Sequence, residues 1–261
     1  MKVKANGIDI NYEIEGDGPW LTLSHSLCCD LHMWDEQMPA LTKKFKVLRF
    51  DTRGHGGSSA PAEAYTLEQM ADDVRGLFDA LGIKQTHWCG LSMGGMIGQI
   101  FALRHPGYFK TMTLADTTSY YPPETQGPWG DRIKLAQEKG MAPFGEMMVS
   151  RWFTEGYVKS GAPALTRIAA SVRATKAEGF IGCCHAIPKI NVTSRLKEIK
   201  CPTLVIVGEQ DPGTPVAMAQ LIHDNLPGSE LVIIPNAAHL SNIEQTVAFD
   251  AALLGFIARH A

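Results

Sequence analysis

Ser92, Asp211 and His239 are the residues whose types and settings suit them to nucleophilic catalysis. A serine hydroxyl is a poor nucleophile at neutral pH, so it needs a base within hydrogen-bond reach and a third group that holds the base in one tautomer. A serine, a histidine and an aspartate supply these parts, and the chemistry they support is attack on a carboxylic ester or lactone through an acyl-enzyme. Of the nine histidines, only His239 is predicted in a loop after the last strand, downstream of an acidic strand-end residue. Asp116, at the end of an earlier predicted strand, is the alternative to Asp211 as its partner.

The elements that must position these groups are legible around each of them. Thr86 to Leu91 reads as a strand and Met93 to Leu103 as a helix with Met96, Ile97, Ile100 and Leu103 at helical spacing, which leaves Ser92 at the apex of an abrupt turn. Gly-x-Ser-x-Gly recurs by chance, and it is the strand before and the helix after that make it a nucleophile elbow. Gly90 and Gly94 provide the lack of bulk such a turn requires. Two backbone N–H groups are candidates for an oxyanion hole: Met93, at the helix N-terminus, and Leu27, in the loop His25–Asp30 that follows the short apolar strand Trp20–Ser24.

The rest of the chain alternates strand and helix, which predicts a mostly parallel sheet covered on both faces. Asn6-Gly7 marks an opening hairpin. Phe45–Phe50 is a buried strand, and Asp51–Ser59 a tight turn in which Arg53 and His55 brace their neighbours. Thr66 with Gln69 forms a capping box for a helix that Gly82 stops. Strands follow at 109–116, 203–207 and 231–234, and Ser241 with Glu244 reads as a second capping box, opening the terminal helix. Between 117 and 196 the alternation breaks into helical segments carrying Trp129, Phe144, Met147, Met148, Trp152, Phe153 and Phe180. The expected organisation is therefore one core made of 1–116 and 197–261 with a helical lid at 117–196, whose apolar residues both pack and wall a pocket.

Composition narrows the function. A net charge of -3 without a basic run speaks against a nucleic-acid footprint and gives no reason to expect membrane-surface binding. The N-terminal residues lack an apolar signal region and no segment has the ~18 apolar residues of a membrane span, so the expectation is a cytoplasmic protein. Six cysteines include the adjacent pairs Cys28-Cys29 and Cys183-Cys184 and no Cys-x-x-Cys, so they read as free thiols filling the core. No histidine has a metal-ligand partner at useful spacing, and no glycine-rich phosphate loop stands between strand and helix. The expected partner is a small molecule, with no metal and no cofactor.

These residues resemble the α/β-hydrolase superfamily, in which serine, aspartate and histidine follow in that chain order. More narrowly the chain is similar to the 3-oxoadipate enol-lactonases. The likeness runs nearly end to end: Ser26-Leu27 with Asp30-Leu31-His32-Met33-Trp34, Asp51-Thr52-Arg53-Gly54-His55-Gly56, Cys89-Gly90-Leu91-Ser92-Met93-Gly94-Gly95, Trp152-Phe153-Thr154, Cys184-His185-Ala186-Ile187, and Ala238-His239-Leu240-Ser241-Asn242-Ile243-Glu244-Gln245. The elbow and loop motifs belong to the whole superfamily, and the lid motifs carry the narrower resemblance. It implies an α/β-hydrolase fold and cofactor-free hydrolysis of a small carboxylate-bearing lactone in aromatic catabolism. Cys28 stands where these enzymes usually have glycine, His25 where many have asparagine, and Pro188-Lys189 where charged residues are more usual. Such a lactone needs a cation in the pocket. Arg132, three residues after Trp129 at the opening of the lid's first helix, is the candidate, with Trp129 and Trp152 as pocket walls. The other readings of the same triad are a carboxylesterase, an acyl-homoserine lactonase and a cofactor-free perhydrolase; outside the enzymes, a hydrolase-fold ligand receptor.

Overall fold

A computed structural model describes residues 1–260. Eight strands form one sheet in the order β1-β2-β4-β3-β5-β6-β7-β8: β1 (Lys2–Ala5), β2 (Ile8–Glu15), β3 (Trp20–Ser24), β4 (Lys46–Phe50), β5 (Thr86–Leu91), β6 (Phe109–Ala115), β7 (Thr203–Gly208) and β8 (Glu230–Ile234). β1 pairs antiparallel with β2, as the Asn6-Gly7 hairpin requires, and β2 pairs antiparallel with β4; every later pairing is parallel. The central strands β5 and β7 are buried at every position, and from Leu204 to Val207 β7 reads as an unbroken apolar run. Helices α1 (Met38–Leu41), α2 (Leu67–Leu81) and α3 (Met93–Arg104) precede the insertion, and α9 (Val216–Asn225), α10 (Ser241–Glu244) and α11 (Thr246–His260) follow it. Trp88 of β5 stacks on Phe101 of α3 and on Phe109, while Phe249 of α11 packs on Trp34, so the core lies on both sides of the sheet.

Between β6 and β7 the chain forms α4 (Gly127–Lys139), α5 (Phe144–Trp152), α6 (Glu155–Ser160), α7 (Pro163–Ala174) and α8 (Ala177–Ala186). α4 packs on α8 and α5 on α7. The two ends of this insertion meet, Tyr120 bridging Asn191 and the Tyr121 N–H donating to the Ile190 carbonyl. It therefore starts and ends at one place, beyond the carboxyl end of β6, and residues 192–202 carry the chain on to the start of β7, parallel to β6.

Two local expectations need correction. Thr66 caps α2 by accepting from the Gln69 N–H, but the Gln69 side chain turns to Glu63 and closes no reciprocal box. At the other site there is no capping box at all. Ser241 donates to Asp116 and Glu244 accepts from Ala238 and Thr154, and a separate short helix, α10, precedes the terminal α11. At Gln69 a neighbour six residues back takes the side chain, and at Ser241 and Glu244 partners include residues distant in the chain.

Candidate active site

The elbow is strained and tightly packed. Ser92 sits at φ 55 and ψ -113 between β5 and α3, a conformation L residues adopt only at a cost of about 1–3 kcal/mol. A Cβ on Gly90 would lie 2.2 Å from the Gly94 carbonyl oxygen, and one on Gly94 would lie 2.2 Å from the Ser24 carbonyl oxygen, so no larger residue fits either place. The turn is fastened to the neighbouring strand by the Ser92 N–H, which donates to Ala115, and by the Thr117 hydroxyl, which donates to the Ser92 carbonyl.

Asp211 leaves the end of β7 in a turn that saturates its carboxylate. Oδ1 accepts from the Gly213 and Thr214 N–H groups at 2.7 and 3.0 Å, and Oδ2 accepts from the Thr214 hydroxyl at 2.7 Å and from His239 Nδ1 at 2.8 Å. A proton on Nδ1 follows from that last bond, leaving Nε2 free to act as a base. Burial opposes the imidazolium, but the Asp211 carboxylate outweighs it and holds the His239 pKa above the ordinary histidine value. For Asp211 burial acts the other way, and His239 and the Thr214 bonds outweigh it, keeping the carboxyl below its ordinary range. Thr214 is a partner the sequence reading missed, although an aspartate followed by Pro-Gly-Thr is a turn that returns a hydroxyl to the carboxylate.

Asp116, the alternative partner, has no bond to His239. It sits at φ 44 after β6, accepts from the Gly208 N–H at 2.7 Å and from the Ser241 hydroxyl at 2.5 Å, and so joins the end of β7 to α10. Burial, with Asp211 nearby, pushes its pKa up to about 8.

Ser92, His239, Leu27, Trp129, Arg132 and Trp152 line one cavity of about 350 Å³ between the strand ends and the insertion, a size suited to a small ligand. Met93 lies directly behind Ser92 and is wholly buried. Among the described residues neither the Leu27 nor the Met93 N–H donates to a protein acceptor. The Ser92 hydroxyl likewise bonds to no described residue, His239 included; such pairs are commonly loose without substrate. The loop that carries Leu27 is clamped by two buried histidines. His25 Nδ1 donates to the Ser26 carbonyl, the other half of the peptide unit whose N–H is Leu27's, and the Cys28 N–H donates to His55 Nε2. Burial lowers the pKa of both, that of His55 to about 3, so both are neutral. Cys28 sits at φ 60, the left-handed region that favours glycine. Arg53, bound to Asp73 and Glu63, does not line the cavity; like His55 it braces the turn.

On the insertion side Arg132 lies with its guanidinium carbon 4.4 Å from the Trp129 ring centre and makes no ion pair among the described residues; neither Asp131 nor Glu138 reaches it. Burial lowers its pKa without displacing it from the charged form. Arg151, which the sequence reading passed over, lines the same cavity and reaches the Pro212 carbonyl. Trp152 is buried, its ring centre 6.2 Å from that of His239.

A family model of the alpha/beta hydrolase fold matches residues 19–246, and the chain belongs to that family. It is a hydrolase. It is 37% identical over 251 residues to 3-oxoadipate enol-lactonase 2 of Acinetobacter baylyi, covering 95% of this chain and 93% of that protein. The solved enol-lactonase from Burkholderia xenovorans LB400 superposes with a TM-score of 0.94 at 36% identity, covering 99% and 100% of the two chains. A thermophilic esterase from Thermogutta terrifontis, solved with malate bound, also reaches 0.94, at 28% identity and full coverage of both.

Proposed function

We propose that the chain is a serine hydrolase of small carboxylate-bearing lactones, 3-oxoadipate enol-lactone foremost, with 117–196 as the lid over its site. His239 Nε2 takes the Ser92 proton as Oγ attacks the acyl carbon, and Asp211 holds the imidazole and stabilises the imidazolium. The tetrahedral oxyanion is received by the Leu27 and Met93 N–H groups. Collapse breaks the ring C–O bond while His239 returns the proton to the leaving oxygen, which stays tethered to the acyl group. Water, deprotonated by His239, then cleaves the acyl-enzyme, releasing the acid and Ser92.

The observation that carries this reading is a single cavity joining the Asp211–His239 pair and Ser92 to Arg132, a cation with no acidic partner of its own among the described residues. A substrate carboxylate would complete it, with Trp129 and Trp152 as apolar walls. The enol-lactonase relatives support the same substrate. The test is turnover of 3-oxoadipate enol-lactone and of p-nitrophenyl acetate, by the wild type and by Ser92→Ala. Both are expected to be hydrolysed, the lactone far more efficiently, and neither by the variant. Ester turnover without lactone turnover would make the protein a carboxylesterase, and no turnover of either would leave it a binding protein.

A further inference from the structure

Glu244 is buried and lies outside the cavity, yet it joins the two segments that meet over the candidate base. One carboxylate oxygen accepts from the Ala238 N–H at 3.0 Å, immediately before His239; the other accepts from the Thr154 N–H at 3.1 Å and from the Thr154 hydroxyl. That hydroxyl in turn accepts from the Tyr157 N–H, capping α6, so its single proton is committed to Glu244. On the other side of His239 the Leu240 N–H donates to the Trp152 carbonyl at 3.1 Å. The residues flanking His239 are thus both tied to the stretch Trp152–Thr154 of the insertion, and the Trp152 ring lies against the imidazole. Donors converge on both oxygens, which suits an ionised carboxylate and no other side chain of this size. No cation pairs with it among the described residues, so N–H and O–H donors alone compensate its burial.

We infer that Glu244 is a positioning residue that registers the insertion against the His239 loop, so that lid placement and base placement form one structural state. Bonds that hold only the fold would affect stability alone, whereas these fix the carrier of the base, whose displacement by a fraction of an ångström lowers the rate of proton transfer. The inference rests on His239 acting as the base, which is checked first: if Ser92→Ala retains wild-type esterase activity, that reading fails before this one is reached. Given a wild type whose esterase activity Ser92→Ala abolishes, the experiment is a cycle of Glu244→Gln, Thr154→Val and the double variant. It is read by kcat and KM on p-nitrophenyl acetate well below each variant's melting temperature, and by the low-field proton resonance of the His239 Nδ1–H. Glutamine keeps the shape but turns an NH2 towards a donor. Expected are kcat lowered about 10-fold or more with KM within about 2-fold, a shifted or broadened Nδ1–H resonance, a smaller kcat loss in Thr154→Val, and a double variant no worse than Glu244→Gln. Folded single variants with wild-type kcat and an unmoved resonance would overturn the inference, as would losses that multiply in the double variant. Should Glu244→Gln not fold, Thr154→Val decides alone: a lower kcat with a shifted resonance supports the coupling, and an unchanged kcat refutes it.

Discussion

The strand ends and the helical insertion face each other across one cavity, and they are built by opposite rules. On the sheet side the carboxylates and histidines around Ser92 are spent on their neighbours: Asp211 accepts four bonds, Asp116 two, and His25 and His55 clamp the loop of Leu27. On the insertion side, among the described residues, Arg132 lies over Trp129 with no ion pair and Arg151 bonds to a carbonyl alone. Saturated groups cannot move or seek a ligand, while an unpaired guanidinium in a half-buried wall gains from one. On the proposed reading, reaction chemistry resides in the first side and choice of substrate in the second.

The sharpest way to break that division is to remove the proposed nucleophile and the proposed base. Ser92→Ala and His239→Ala are each expected to lower turnover of every substrate by several orders of magnitude, and the double variant to be hardly worse, because the members of the proposed triad would act as a unit. Losses that multiply would show that the two do not act together. Next in size is the contrast between the neighbouring carboxylates. Asp211→Asn is expected to cost on the order of 10⁴-fold through loss of tautomer control. Asp116→Asn, whose amide can still accept from Gly208 and bond to Ser241, should cost less than about 10-fold. The reverse ranking, in initial rates on one ester, would move the acid to Asp116.

The insertion side is probed by selectivity. Arg132→Met is expected to reduce kcat/KM roughly 10- to 100-fold on a carboxylated lactone, the equivalent of about 1.4 to 2.8 kcal/mol, and to leave p-nitrophenyl acetate nearly unchanged. Equal losses on both substrates would mean damaged packing instead. The smallest effect is in the pH profile. His239 must be neutral to accept a proton and its pKa is raised by Asp211, so kcat/KM should fall as pH drops through a value above the ordinary ~6.5. A profile flat from pH 5 to 8 would contradict a histidine base.

Much of this arrangement was readable from local patterns, because local patterns are what neighbours in the chain encode. The strand-turn-helix around Ser92, the glycines that its turn cannot do without, the hairpin at Asn6-Gly7 and the loop ahead of His239 each depend on residues a few positions away. What escaped was the choice of partner for polar side chains. Ser241 and Glu244 have the spacing of a capping box, yet their partners include residues 125 and 90 positions earlier in the chain. Asp116 and Asp211 both end strands in the sequence, and only the packing of β6 beside β7 puts one of them on His239 and the other on Gly208 and Ser241. Sequence determined the family of shapes and the triad's candidates, since backbone conformation follows from neighbouring residues. Tertiary structure alone decided which charges are paired and which face the cavity, since a buried polar group takes the best donor or acceptor that folding brings within about 3 Å, however distant in the chain.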